Sequence, residues 1–257
     1  MALNIKKSYI LNNITTLKNR KVEWIVLHYT AGTSSKSGTA LNISKWFNNP
    51  LIKASADFVV DDKNVYQLNN DIKNKYTWHS GGNKYSTMTT KLGGKYYGIA
   101  KNSNSIGIEM CSSKKNTKTL HATDTDWYFT DAVIDNTVEL VKYLMKKYNI
   151  DKDHVIMHHS ITGKICPNPW VVNSARLKGY YDFLDRLEEK KEYKVKVTKK
   201  DSIPVREKAD SKSKEVIRIK KGEVYTIVEE VKSKDGKTFG KLKSGSGYIN
   251  LSYVTKL

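Results

Sequence analysis

Continuous apolar runs alternate along the chain with stretches whose apolar residues recur every three or four positions. Trp24-Ile25-Val26-Leu27-His28 is an unbroken run closed by a histidine, which predicts a buried strand. Ser55-Ala56-Asp57-Phe58-Val59-Val60 and Asn64-Val65-Tyr66-Gln67-Leu68 predict two more, joined by a hairpin turn at Asp61-Asp62-Lys63. Ser105-Ile106-Gly107-Ile108-Glu109-Met110-Cys111 and Val155-Ile156-Met157 complete the set. A helix is predicted over 39–47, where Ala40, Ile43, Trp46 and Phe47 share one face ahead of Pro50. A longer one is predicted over 130–148, with Thr130 as N-cap and an inward stripe of Val133, Thr137, Leu140, Val141, Leu144 and Tyr148. A last helix over 174–189 turns Leu177, Tyr180, Tyr181, Leu184 and Leu187 inward. Strands alternating with helices over residues 23–190 indicate an α/β domain. Residues 69–104 are polar and without period, and a loop of that length inside a compact domain is usually functional.

After the charge run Glu188-Glu189-Lys190-Lys191-Glu192 the texture changes. Short β-type runs such as Ile203-Pro204-Val205-Arg206, Val216-Ile217-Arg218-Ile219 and Val224-Tyr225-Thr226-Ile227-Val228 follow closely between turn signals. They predict a small all-β, barrel-like module. The expected division is a domain over 1–185, a linker at 186–193 and the β module over 194–257.

Composition sharpens this. A chain of 257 residues holds one large domain or two smaller ones, and 39% hydrophobic residues suffice for a core. Lys and Arg number 45 against 26 Asp and Glu, a formal net charge of +19. Such an excess suits a polyanionic partner: nucleic acid, an acidic membrane surface or an anionic cell wall. Scattered as they are through both halves, the lysines also serve general solubility. No apolar run reaches the ~18 residues of a membrane span, so membrane insertion is not expected. The opening residues lack the apolar stretch of a signal peptide, which implies synthesis in the cytoplasm. Two cysteines, Cys111 and Cys166, make no disulfide framework, although one bridge between them is open.

The densest chemistry lies just after the strand at 155–157. His158, His159, Lys164 and Cys166 fall within nine residues, in a span that Gly163, Pro167 and Pro169 mark as a loop. Imidazole and thiolate together suit a borderline-soft metal such as zinc. The plainer reading is a polar loop beside a partly buried thiol. A catalytic zinc needs a third protein ligand and an open position, and His28 stands at the end of another predicted strand. Glu109 is a carboxylate in an apolar run, either a catalytic group or an edge-strand residue facing water. His121 and His154 read as surface or core histidines, and Cys111 as a small buried hydrophobe.

In chain order, Ile25 through Gly32, Ser55 through Asp61, Trp78-His79-Ser80-Gly81, Asn104 through Glu109 and His158 through Pro167 resemble one family. It is that of the zinc N-acetylmuramoyl-L-alanine amidases, the type shared with phage lysozyme-amidases and peptidoglycan recognition proteins. The resemblance covers residues 23–171 and implies a central mixed β-sheet flanked by helices. It implies Zn2+ held by His28, His158 and Cys166, which leaves a corner for water made acidic by the metal. Glu109 would take the water's proton and pass it to the leaving amine. Lys164 would stabilise the oxyanion, and His79 would contact substrate. His158 is preferred to His159 because its eight-residue spacing to Cys166 matches the family, and because neighbouring strand residues point to opposite faces. The chain departs from the family at Ala56, where some phage relatives carry Tyr, and at Ser160, where many carry Asp.

Residues 194–257 resemble bacterial SH3-like domains, which often bind cell wall, at Ile203 through Glu207, Lys221-Gly222 and Gly247 through Asn250. The implied protein is a phage endolysin of a Gram-positive host, held in the host cytoplasm until lysis and then acting on the wall. Its partners would be peptidoglycan and anionic wall polymers, with neither nucleic acid nor membrane. A host autolysin and a non-catalytic wall receptor are the alternatives.

Overall fold

The computed structural model describes residues 3–188 and 192–257 of the chain, so the centre of the expected linker, 189–191, lies outside the described residues. Contacts divide the chain into two units, Met1–Glu188 and Glu189–Leu257. In the first unit the strands are β1 (Ile5–Lys7), β2 (Ile14–Thr16), β3 (Trp24–Tyr29), β4 (Phe58–Val60), β5 (Val65–Gln67), β6 (Lys75–Thr77), β7 (Ser105–Met110), β8 (Ser113–Lys114), β9 (Trp127–Tyr128) and β10 (Val155–Met157). Its helices are α1 (Thr39–Phe47), α2 (Asp131–Tyr148), α3 (His158–Thr162), α4 (Asn168–Val171) and α5 (Leu177–Leu187).

Six strands form a mixed sheet in the order β1-β5-β4-β7-β3-β10. β4, β7, β3 and β10 run parallel, and β5 returns antiparallel beside β4. β3 is apolar on both faces because both are covered. On one face Ile25, Leu27, Phe58, Ile106, Ile108 and Met157 pack with Val133, Leu140 and Leu144 of α2 and Phe183 of α5. Each such side chain contributes roughly 1.5–3 kcal/mol on burial. On the other face Trp24, Val26 and Ile156 pack with Ala100, while Val59 packs with Ala40 and Phe47 of α1. Thr130 caps α2 as its sequence position predicts, its hydroxyl accepting from the Val133 amide.

Three local expectations are corrected. Trp46 does not join the core face of α1 but stands 50% exposed. Tyr181 is likewise turned out at 41%, and Phe183 fills the core position in α5. The span after β10 is not a plain loop, because the chain turns directly into α3 at His158.

In the second unit, β11 (Tyr193–Val197), β12 (Ser202–Arg206), β13 (Glu215–Lys220), β14 (Val224–Lys232), β15 (Thr238–Leu242), β16 (Tyr248–Asn250) and β17 (Val254–Lys256) form a seven-stranded antiparallel sheet. On β12 the alternation is complete. Ile203 and Val205 are fully buried in a cluster with Val195, Ile219, Ile227 and Ile249, while Ser202, Pro204 and Arg206 face the other way.

One buried cation pins three segments of the first unit. Arg20, 7% exposed, donates Nε to the Ile72 carbonyl at 2.7 Å, Nη1 to Asn102 at 2.8 Å and Nη2 to Ser105 at 2.9 Å. Lysine cannot reproduce that planar fork. Arg20→Lys is expected to cost about 2–4 kcal/mol, because buried carbonyls lose their donors, and urea unfolding should show it as a lowered midpoint. An unchanged midpoint would mean that the three carbonyls find other donors.

Candidate metal centre and active site

Because β3, β7 and β10 are parallel, their carboxyl ends meet along one sheet edge, where open α/β sheets usually build their sites. His28 and Glu109 are direct cross-strand partners, and Leu27 pairs with Met157, so the next residue, His158, emerges beside His28. The segment after α3 returns Cys166 to the same point. Ligand atoms of His28, His158 and Cys166 all lie within 4.8 Å of one another, with His28 Nδ1 at 3.6 Å from Cys166 Sγ. Both cysteines are free thiols, so no bridge to Cys111 competes for the sulfur.

The histidine pair separates for a helical reason, since consecutive residues in α3 are rotated by about 100°. His158 faces the triad, and His159 turns away. A carbonyl only accepts, so His159 donates from Nδ1 to Lys164 O at 2.9 Å and accepts at Nε2 from the Thr90 hydroxyl at 2.9 Å. Its own amide donates to Cys166 O at 2.7 Å. His159 thereby holds the loop that carries both Lys164 and Cys166. The loop begins at Gly163, whose φ of +87° would strain any other residue.

A chain of hydrogen bonds fixes the tautomer of His28. The Ser105 hydroxyl donates to Lys101 O at 2.5 Å, so its oxygen accepts from His79 Nε2 at 3.2 Å. His79 Nδ1 then carries a lone pair and accepts from His28 Nε2, also at 3.2 Å. That leaves His28 Nδ1 unprotonated and turned toward Cys166. Burial and the charge of Arg20 hold His79 at about 3, so the ring stays neutral as the chain requires. Gly107 makes room for it, since a Cβ there would lie 2.4 Å from His79 Cγ. His79, read from sequence as a substrate contact, borders the same cavity but commits both ring nitrogens to this chain. Ser105 had no sequence signal, being one small polar residue at a strand start.

The triad lies in the floor of a cavity of about 350 Å³ that also takes in Glu109, Lys164, Trp46 and Leu120. Glu109 belongs to a central strand and faces this cavity, which decides between its two sequence readings. Burial pushes its carboxyl up to about 8 against the pull of Lys164. Lys164 sits exposed at the rim. The Leu120 wall is held by Lys114, whose buried ammonium meets Asp126 at 2.6 Å and Asp124 at 3.1 Å.

Buried polar atoms without partners are rare and ask for an explanation. His158 Nε2 and Glu109 Oε2 are two of these, and both lie here. Two imidazole nitrogens and a sulfur, one nitrogen without a partner among the described residues, fit a zinc ion with one position left open. His158 is held near 3 and His28 well below its ordinary value, both mainly by burial, so neither imidazole binds a proton at neutral pH. Burial and the nearby Glu109 push the Cys166 thiol up to about 12, so it is protonated without metal and must lose its proton to ligate. Zinc affinity should therefore rise with pH, at least about tenfold per unit between pH 6 and 8, for the thiol proton released and for any that Glu109 gives up beside it. Calorimetry in buffers of different ionisation enthalpy counts the protons, Glu109→Gln removes the carboxyl's share, and a pH-independent affinity would exclude the thiol as ligand. Ser105→Ala should weaken zinc by about tenfold by freeing the His28 tautomer, read by competition with a chromophoric chelator. An unchanged affinity would make the His79–Ser105 chain incidental.

The chain is similar to known proteins. Residues 18–169 match the N-acetylmuramoyl-L-alanine amidase family. The chain is 28% identical over 193 residues to the N-acetylmuramoyl-L-alanine amidase CwlL of Bacillus licheniformis, covering 72% of this chain and 48% of that protein. It is 31% identical over 198 residues to the N-acetylmuramoyl-L-alanine amidase BlyA of Bacillus subtilis (strain 168), covering 71% and 46%. The catalytic domain of XlyA superimposes with a TM-score of 0.51 at 25% identity, over 72% of this chain and 99% of that one. The chain thus spans about half the length of the curated relatives it matches. With the matched segment filling more than half of its length, the chain belongs to the N-acetylmuramoyl-L-alanine amidase family.

Proposed function

We propose that the first unit is a zinc-dependent amidase that hydrolyses the bond between N-acetylmuramic acid and L-alanine in peptidoglycan. The second unit is an SH3-like wall-binding module, and the whole is a lytic enzyme of the phage endolysin type acting on a Gram-positive wall. The observation that carries this reading is the meeting of His28, His158 and Cys166 in the floor of a cavity that also holds Glu109 and Lys164. The relatives' names point to the same bond.

Zinc held by His28, His158 and Cys166 supplies a Lewis acid that acidifies water and polarises a carbonyl. Glu109 has a carboxyl oxygen with no partner among the described residues, free to take a proton from attacking water and return it to the departing nitrogen. A dication beside it favours its charged form, which a base needs. Lys164 brings an ammonium to the rim, where negative charge gathers on the amide oxygen. The hydrogen bonds of His159 hold that loop in position before substrate arrives.

Glu109→Gln should retain zinc and lose about 100-fold or more in turnover, measured as free amino termini released from purified peptidoglycan without new reducing sugars. Turnover near that of the unmodified protein would move the proton transfer to another group. Chelation should abolish release and added zinc restore it, and release that persists in chelator would overturn the metal-dependent reading.

A further inference from the structure

The second unit carries a cavity that the amide chemistry does not use. It measures about 260 Å³ and is lined by Lys200, Arg206, Arg218, Ser202, Ser211 and Tyr253 among others, with Phe239 and Asn250 buried beside them and no carboxylate among the described residues that line it. The outward alternation of β12 builds one wall, because Ser202 and Arg206 face out while Ile203 and Val205 anchor the strand from behind. Pro204 and Arg218 are cross-strand partners, so β13 adds its cation to the same face.

The three cations are not equally engaged. Arg218 is held by Glu215 at 3.0 Å and by the Ser202 hydroxyl at 3.0 Å. Arg206 uses only Nη1, on the Ser213 carbonyl at 2.7 Å, which leaves the rest of its fork without a protein acceptor among the described residues. Lys200 lies over the Tyr253 ring at 4.3 Å and has no carboxylate partner among the described residues. A concave site with donors still free on Arg206 and Lys200, beside the Ser202 hydroxyl, is built for an anion that also carries hydroxyl groups.

We infer that this cavity docks a phosphodiester-linked polyol of the bacterial wall, one phosphate at a time, through Lys200 and Arg206. The inference rests on the wall-directed reading above. Nucleic acid is the other phosphodiester polymer, but it would need an aromatic face for its bases. Phe239 is 2% exposed, and the face of Tyr253 is covered by Lys200. The cavity is also smaller than the usual range for a drug-sized ligand, which suits one repeat of a simple chain.

The test is calorimetric titration of the full chain with soluble poly(glycerol phosphate), and with a single-stranded oligonucleotide of equal charge. Lys200→Gln/Arg206→Gln is compared with Lys194→Gln/Lys196→Gln, which removes the same charge from exposed positions of β11. The expected result is saturable polymer binding that weakens about tenfold or more in the cavity variant. The β11 variant should keep its affinity, and the oligonucleotide should bind more weakly. Absence of saturable binding, equal losses in the two variants, or an oligonucleotide bound as tightly through Lys200 and Arg206 would each overturn the inference. Amino-terminus release from polymer-free peptidoglycan is measured in parallel. Lost polymer binding with intact release sinks this inference alone, and absent release with intact binding sinks the amidase reading alone.

Discussion

The parallel run of β3, β7 and β10 is the constraint on which the first unit depends. Side chains far apart in sequence reach one point only because three neighbouring strands end on the same edge. Had β7 or β10 run the other way, Glu109 or His158 would lie at the opposite end of the sheet from His28. The large apolar residues between sheet, α2 and α5 hold those strands in register. Packing therefore sets the positions of the polar groups, and a register slip of one residue would turn Glu109 to the helical face.

Around that edge most buried polar groups are satisfied, and two atoms are left unpaired where chemistry is wanted. Arg20 closes three backbone carbonyls. Asp57 accepts from Thr77 and the Gly107 amide, both at 2.8 Å, and from Asn69 at 2.7 Å. Ser105, His79 and His28 pass a fixed donor order along a line that ends in a bare nitrogen. Of the four buried side-chain atoms without a partner among the described residues, His158 Nε2 and Glu109 Oε2 belong to residues that line the same cavity. In a low-dielectric floor such atoms are costly unless a cation or a proton reaches them. Desolvation thus both raises the Glu109 carboxyl and prepares the site for a positive ion.

The second unit solves a simpler problem. A small antiparallel sheet buries alternate residues in one cluster and leaves the intervening ones outside, where cations can collect with little desolvation. Lys and Arg in the whole chain exceed Asp and Glu by 45 to 26, but number alone does not make a site. What sets Lys200 and Arg206 apart is a concave site that they share with hydroxyls, and the partly free guanidinium of Arg206.

Periodicity was enough to recover the main strands of the first sheet, the bounds of α1 and α2 and the Thr130 cap, because these follow from local backbone geometry and from one buried face. The candidate ligands were legible because imidazole and thiolate after apolar runs are unusual and spaced in a recognisable order. Tertiary structure alone decided that Glu109 faces the cavity, that His159 braces a loop and that Trp46 stands at the rim. It alone brought Ser105 and Arg20 into play. Each of those outcomes depends on which neighbour lies across a sheet or beyond a turn. A single chain read in order carries the period of its side chains, but not the identity of the atoms they meet.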